Sequence, residues 1–364
     1  MFAITKKFNW VAIFPYLCLS VLVALNFVTE VSLIISLVAV LFLGIAVMAS
    51  VYHAEDIAHS IGEGLGTLVL ALSVTVIEVG LILSIMSSGS EGTNAVARDT
   101  VFAAVMIICN GIVGLCLLLG GLKYKEIGFQ FRGSNTLLLV VICLSVICFI
   151  LPNYTTSIIG PYYNSGQLIF ISIVSILLYG ALVIAQTRTH KYYFETPQEI
   201  PEGGEELEAE PIEWRALIMS FVALIVGLAS VIGLAKFIAP TLELGLVTLG
   251  APKAVIGLII ATIVLLPEAI TAVFAARENR LQTSLNLALG SGAASIALTI
   301  PVISAYSVIK NQPIMLGLDP KNSVFLLLTI IVCSLTLGNG KATALHGIIQ
   351  LIILCAYFTV TLIP

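Results

Sequence analysis

The chain has 364 residues, of which 59% are hydrophobic and only 10% charged, with a mean hydropathy of +1.11. A soluble domain carries about 25% charged residues, so the polar surface is too small to cover a water-facing globule and the chain reads as an all-α polytopic membrane protein. The net charge of −4 is concentrated in one acidic stretch and gives no reason to expect nucleic acid as a partner.

A helical span needs about 20 mostly apolar residues, and lipid offers no partners for free backbone groups, so the spans must be helices. Eleven are expected, at 11–28, 31–52, 65–87, 100–121, 135–151, 166–187, 215–238, 253–276, 282–305, 322–338 and 342–362. The first follows Lys6 and Lys7 without a small-residue cleavage site and reads as a retained helix. Between the second and third lie His53, Glu55, Asp56, His59 and Glu63, read as a solvated mouth whose histidines titrate near neutrality. His346 and Gln350 interrupt the last span.

The third span carries one ionisable residue near its middle, Glu78. A charged carboxylate at the bilayer centre costs ~2.5–3.5 kcal/mol on insertion scales, so something must offset it. The eighth span repeats the pattern, with Glu268 as its only acid and Pro267 immediately before it. A proline frees the carbonyl one turn earlier from its intrahelical hydrogen bond. Asp99 and Glu243, near span ends, are candidate entrance residues. The seven cysteines all lie in apolar runs without C-x-x-C spacing, and read as small packing residues.

The clearest break in composition is 195–213, which holds eight of the twenty acidic residues together with Pro197, Pro201 and Pro211. It reads as a solvated linker or as an element that attracts cations. Lys and Arg distribute eleven to one side and five to the other if the N-terminus is cytoplasmic, which favours that orientation.

The two glutamate spans belong to an internal repeat. Each is followed by a polar segment and then by a span carrying small and amide residues, Cys109-Asn110-Gly111 in one copy and Gly290-Ser291-Gly292 through Ser295 in the other. The third span runs outward and the eighth inward, so the copies are inverted, as in many secondary transporters. The expected organisation is an extra N-terminal helix (1–30), a first five-helix repeat (31–187), an acidic cytoplasmic loop (188–214) and a second five-helix repeat (215–364).

At these residues the chain resembles a known family. The run Val255-Ile256-Gly257 through Leu266-Pro267-Glu268-Ala269, continuing past Gly290-Ser291-Gly292 to Pro301, resembles the second repeat of calcium/proton exchangers, and Thr75-Val76-Ile77-Glu78 with Asn110-Gly111 resembles the first. Arg98-Asp99-Thr100 and the acidic loop fit the same group, the cation/calcium exchanger superfamily. The nearest likeness is to bacterial calcium/proton antiporters that also accept sodium or potassium. The resemblance implies ten core helices in two inverted halves and a cation held by the paired glutamates. The plant and yeast members carry Gly-Asn-Ala-x-Glu before each glutamate. Here the residues are Val74-Thr75-Val76-Ile77-Glu78 and Val264-Leu265-Leu266-Pro267-Glu268, and the family's glutamine falls near Ser295. These departures leave room for monovalent cations.

The expected activity is therefore secondary antiport of Ca2+, or of Na+ or K+, against H+, in a bacterial inner membrane, with no cofactor and no enzymatic reaction. Calcium takes six to eight oxygen ligands. Glu78 and Glu268 supply the charge, and Asn110, Ser291 or Ser295, Thr75, Thr262 and backbone carbonyls are the candidates to complete the shell. An empty, dry carboxylate is cheaper to protonate than to leave charged, so protons and cation compete for one pair of groups. The alternatives are a sodium/calcium exchanger of the same fold, a passive channel, and an intramembrane hydrolase. The last lacks an H-E-x-x-H or G-x-S-x-G motif. The partners expected are inorganic cations, protons and the lipid bilayer.

Overall fold

The computed structural model describes residues 10–27, 33–61, 63–87, 93–194, 213–250 and 252–363. Most of the acidic stretch, and the side chains of His59, Glu63 and Glu243, lie outside the described residues. The chain is an all-α polytopic membrane protein. Among the described residues ten helices are long and apolar enough to cross a membrane, with a shorter apolar helix before them.

In chain order the helices are α1 (Trp10–Leu25), α2 (Leu33–Ile61), α3 (Glu63–Met86), α4 (Val96–Met106), α5 (Val113–Tyr124), α6 (Phe131–Ser145), α7 (Ser165–Ile184), α8 (Trp214–Leu249), α9 (Ala254–Arg277), α10 (Leu281–Lys310), α11 (Pro320–Leu337) and α12 (Ala344–Leu362). Two three-residue strands, β1 (Glu126–Gly128) and β2 (Lys341–Thr343), pair antiparallel. The contacts divide the chain into two units, residues 1–88 with 208–245, and residues 89–207 with 246–364.

In the first unit α8 lies against α1, α2 and α3 through small residues. A Cβ on Gly80 would sit 2.6 Å from Ile232 Cγ1, one on Gly227 would strike Ser50 Oγ, and one on Gly233 would strike Leu22. Small residues replace the hydrophobic drive that lipid removes, by letting helices approach closely. Two helices run further than the apolar runs suggested. α2 continues to Ile61, so His53 is buried on a helix at 4% exposure rather than placed in a solvated mouth. The His53 ring lies edge-on to Tyr52, and the exposed Asp56 accepts a hydrogen bond from Ser220. α8 carries on through Pro240 to Leu249.

In the second unit α4 and α5 form one rod joined by a π-helical segment, Ile107–Ile112. A π-turn sends each N–H one residue further back, and such turns cluster at functional sites. Here Val113 N–H goes to the Ile108 carbonyl, which releases the Cys109 carbonyl to accept from Cys333 Sγ at 3.8 Å. A second π segment, Val146–Ile150, releases the Ile147 carbonyl in the same way, and Tyr163 Oη donates to it at 2.6 Å. α5 packs on α12, and α7 packs on α10. The β1–β2 ribbon ties the end of α5 to the start of α12, with Lys341 and Glu126 paired at 2.7 Å on its surface. At the opposite end a bridge between Tyr162 and Met315 joins the α6–α7 connection to the α10–α11 connection. The last helix, interrupted in sequence by His346, is capped by it: the Thr343 N–H donates to His346 Nδ1 at 3.1 Å. Five of the cysteines are buried, whereas Cys143 and Cys355 sit on exposed faces and are not packing residues.

Candidate functional site

Glu78 lies in α3 with 3% of its surface exposed, and Glu268 lies in α9 with 4% exposed. Each is on the buried side of its helix. Among the described side chains of α3 the exposed positions are Leu72 and Val76, and Glu78, two residues on, is rotated about 200° from Val76. In α9 the exposed stripe is Thr262, Leu266, Ile270 and Phe274, while Ala261, Val264, Leu265, Pro267 and Glu268 face inward. Thr75 is buried, and its hydroxyl donates to the Ala71 carbonyl at 2.8 Å. With the proton committed to the backbone, the oxygen lone pairs are what such a hydroxyl offers a cation. Thr262 makes the equivalent bond to Leu258, at 2.7 Å, but stands on the exposed stripe, away from the face that carries Glu268.

The packing of the second unit fixes what lies level with Glu268. A Cβ on Gly257 would touch Asp99 C and Thr100 N, both at 2.7 Å, and one on Gly120 would lie 3.6 Å from the Ala276 carbonyl oxygen. α9 therefore runs alongside the α4–α5 rod in the same direction. Glu268 is eleven residues beyond Gly257, and Asn110 and Gly111 are eleven beyond Asp99 and Thr100. The glutamate is thus level with the π-helical segment. α10 runs the other way: Ser284 Oγ donates to the Ala272 carbonyl at 2.7 Å, and a Cβ on Gly292 would lie 3.3 Å from Ile108. That register sets Gly290 and Ser291 level with Cys109 and Asn110. Ser295, four residues further, is about 6 Å away along the axis. Ser291 is half-buried and Ser295 buried.

Asn110 is fully buried at 0% exposure. It joins polar side chains of α11 and α12 that were not among the candidate ligands. Asn110 Nδ2 donates to Thr329 Oγ1 of α11 at 2.9 Å and lies 3.8 Å from Met106 Sδ. One turn along α11, Cys333 takes a contact from Gln350 Nε2 at 3.6 Å. Thr329, Cys333 and Gln350 are all buried. Of these, Gln350 was visible in sequence as a polar interruption of an apolar span; Thr329 is an ordinary membrane-helix threonine until its partner, 219 residues away, is known.

Asp99, an entrance candidate, is paired with Arg98 at 2.7 Å, and Arg98 Nη1 donates to the Gly317 carbonyl at 3.0 Å. The pair lines a cavity of about 180 Å³ with Asp319, Lys321, Tyr357 and Thr361. Two acids face two bases there, and the cavity lies three helical turns from the level of Glu268. Among the described residues no cluster of three or more His, Cys, Asp and Glu side chains has metal-binding spacing.

Sequence comparison settles the family. The model of the sodium/calcium exchanger protein family matches residues 31–188 and 219–363. The chain belongs to that family. Its relatives include the Sinorhizobium fredii protein y4hA, named as a candidate ionic transporter, which is 43% identical over 321 residues and covers 88% of this chain and 86% of its own. The sodium-potassium/proton antiporter ChaA of Escherichia coli is 29% identical over 347 residues, 95% of this chain and 94% of its own. Among solved structures, the Ca2+/H+ antiporter protein YfkE superposes with a TM-score of 0.72 at 17% identity, covering 98% of this chain and 100% of that one. The exchanger fold is therefore shared across the whole described length.

Proposed function

We propose that this exchanger-family member is a secondary active antiporter that exchanges Ca2+, or Na+ or K+, for H+, with Glu78 and Glu268 as the two carboxylates that cation and protons share. The observation that carries the reading is the burial of two acids, each alone in its span: Glu78 within Val69–Met86 and Glu268 within Ala254–Arg277. An ionisable side chain inside the membrane marks an ion or proton pathway by default. Protonation removes the cost of the buried charge in the unfilled state, and a bound cation removes it in the filled state. Exchange follows if the charged, empty form does not change its facing. As neutral ligands we propose Thr75, whose hydroxyl proton is committed to the backbone, with Asn110 and Ser291; the level of Ser291 within the second unit supports it over Ser295.

We further propose that residues 31–187 and 215–364 are inverted halves, with 1–30 as an extra helix and 188–214 as their cytoplasmic joint. Packing within the second unit supports this. If α4–α5 corresponds to α10, α6 to α11 and α7 to α12, the α5–α12 contact maps onto α10–α7. The β1–β2 ribbon likewise maps onto the Tyr162–Met315 bridge. In that unit the ribbon end carries eight Lys and Arg residues (Lys123, Lys125, Arg132, Arg188, Lys191, Arg277, Arg280, Lys341) and the other end four (Arg98, Lys253, Lys310, Lys321). The positive-inside rule then makes the ribbon end cytoplasmic and agrees with a cytoplasmic N-terminus in an inner membrane.

The test is proton flux in everted membrane vesicles, with calcium, sodium and potassium added separately. Wild-type protein is expected to release the proton gradient on addition of its cation. Glu78→Gln and Glu268→Gln are expected to abolish this while leaving the folded protein in the membrane. Cation-dependent proton flux near the wild-type rate in either variant overturns the reading. A sodium/calcium exchanger of the same fold is the second reading, favoured by the description of the family. Calcium movement driven by a sodium gradient at fixed pH would select it.

A further inference from the structure

Only one end of the buried Asn110 amide is matched. Nδ2 donates to Thr329 Oγ1 at 2.9 Å. Thr329 Oγ1 in turn donates its proton to Met106 Sδ at 3.5 Å. A threonine has one hydroxyl proton. With that proton on the sulfur, the oxygen meets Asn110 as an acceptor, and the amide has to present its NH2 end to α11. Reversing the amide would turn its carbonyl toward the sulfur lone pairs and strand two donors. The relay Met106–Thr329–Asn110 thus chooses the amide orientation. It leaves Oδ1 as the end turned away from α11, and no donor among the described residues reaches that oxygen. A fully buried acceptor with no donor is rare in a folded protein and asks for a ligand. A neutral amide oxygen is a suitable ligand for a hard cation, and Asn110 stands level with Glu268. α9 and α10 both pack on the same π-helical segment.

We infer that Thr329 is a positioning residue for cation recognition: its hydroxyl holds the Asn110 amide so that Oδ1 is presented to the transported cation. This rests on the reading of Asn110 as a cation ligand under the proposed exchange. Thr329 touches no cation itself. Its loss lets the amide rotate and spread its orientation, which weakens cation binding without removing either carboxylate.

The experiment measures the cation concentration for half-maximal proton flux, and the maximal flux, in everted vesicles carrying full-length protein. The cation is the one to which the wild type responds. Thr329→Val keeps shape and removes the hydroxyl. It is expected to raise the half-maximal concentration about 2- to 10-fold, the range for one net hydrogen bond, with maximal flux retained. Thr329→Ser is expected to restore the wild-type value to within about 2-fold, because it restores the bond. Met106→Leu, which removes only the sulfur acceptor, is expected to shift the value in the same direction by less. Asn110→Ala is expected to raise it at least as much as Thr329→Val, and adding Thr329→Val to Asn110→Ala is expected to change nothing further. A purely structural role for Thr329 would instead lower maximal flux and protein yield and add to the Asn110→Ala effect, which overturns the inference. So does a wild-type value for Thr329→Val beside a weakened Asn110→Ala, an outcome that leaves the exchange reading standing. A wild-type value for Asn110→Ala removes Asn110 from the ligand set and takes the inference with it. If Thr329→Val does not reach the membrane, the comparison of Met106→Leu with Thr329→Ser decides by the same criterion.

Discussion

Gly347 sits where α12 crosses α5, and replacing it with alanine puts the packing of the second unit to a direct test. A Cβ there would lie 2.5 Å from the Gly114 carbonyl oxygen and 2.9 Å from Leu118 Cα, and would strike the Leu118 nitrogen as well. All three are backbone atoms of another helix, so no side chain can swing aside. Ordinary contact begins at 3.4 Å, and clearing the Leu118 nitrogen would make the helices part by about 1 Å at the crossing. Overpacking of this kind costs typically 1–3 kcal/mol. A displaced backbone belongs at the upper end, so Gly347→Ala is expected to lose about 3 kcal/mol. Gly180 in α7 is the matched control, because nothing lies within 4 Å of a Cβ placed there. Glycine in a helix interior is roughly 0.5–1 kcal/mol worse than alanine, so Gly180→Ala is expected to be neutral or slightly stabilising. The assay is reversible unfolding of the purified protein in mixed detergent micelles, compared by transition midpoint at equal slope. Equal midpoints for Gly347→Ala and wild type would refute the close approach of α12 to α5. A loss for Gly180→Ala as large as that for Gly347→Ala would refute the attribution to contact.

Two further outcomes follow from the hydrogen bonds of the second unit. Tyr163→Phe removes the donor to the part-buried Ile147 carbonyl that the second π segment releases, and leaving that carbonyl unmatched is expected to cost about 1 kcal/mol in the same unfolding assay; a change under about 0.3 kcal/mol would show that another donor, such as water, serves that carbonyl. Arg98→Gln strands Asp99, whose side chain is only 10% exposed; the expected loss is about 3 kcal/mol, largely recovered by adding Asp99→Asn, and a double variant no better than the single one would refute the pairing as the cause.

Much of the fold was legible because apolar runs of about 20 residues leave a chain few choices. Glu78 and Glu268 stood out for the same reason: a lone acid in such a run has no cheap explanation. What was hidden depends on contacts between distant parts of the chain. The ends of α2 and α8 were placed short because His53 and Asp56 read as loop residues and Glu243 as lying near a span end, yet a polar side chain at a helix end is tolerated when it is packed or reaches an edge. The π-helical segment was not legible in sequence, since the carbonyl that its one-residue offset releases, that of Cys109, finds its donor in Cys333 on α11, 224 residues away. Which of Ser291 and Ser295 lies nearer the level of Asn110 depends on the register of α10, which Gly292 against Ile108 supplies. Thr262 was chosen by type and spacing, and its place on the exposed stripe of α9 is a matter of helix rotation that nearly uniform apolarity conceals. The acidic stretch at 195–213, the most conspicuous feature of the composition, falls almost wholly outside the described residues.

The π-helical segment also absorbs a phase. Each residue turns an α-helix by about 100°. The wide turn at Ile107–Ile112 fits one more residue into its arc than an α-turn does, so the helix beyond it leaves in the phase it would have with one residue fewer. Deleting one residue there, with return to regular winding, is therefore expected to keep Gly114 and Gly121 against Gly347 and Ala344. The change would fall on the segment itself: the Cys109 carbonyl would go back to a donor of its own helix, and Asn110 would shift against Thr329. The extra residue thus lets the surroundings of Asn110 vary without disturbing the glycine seam.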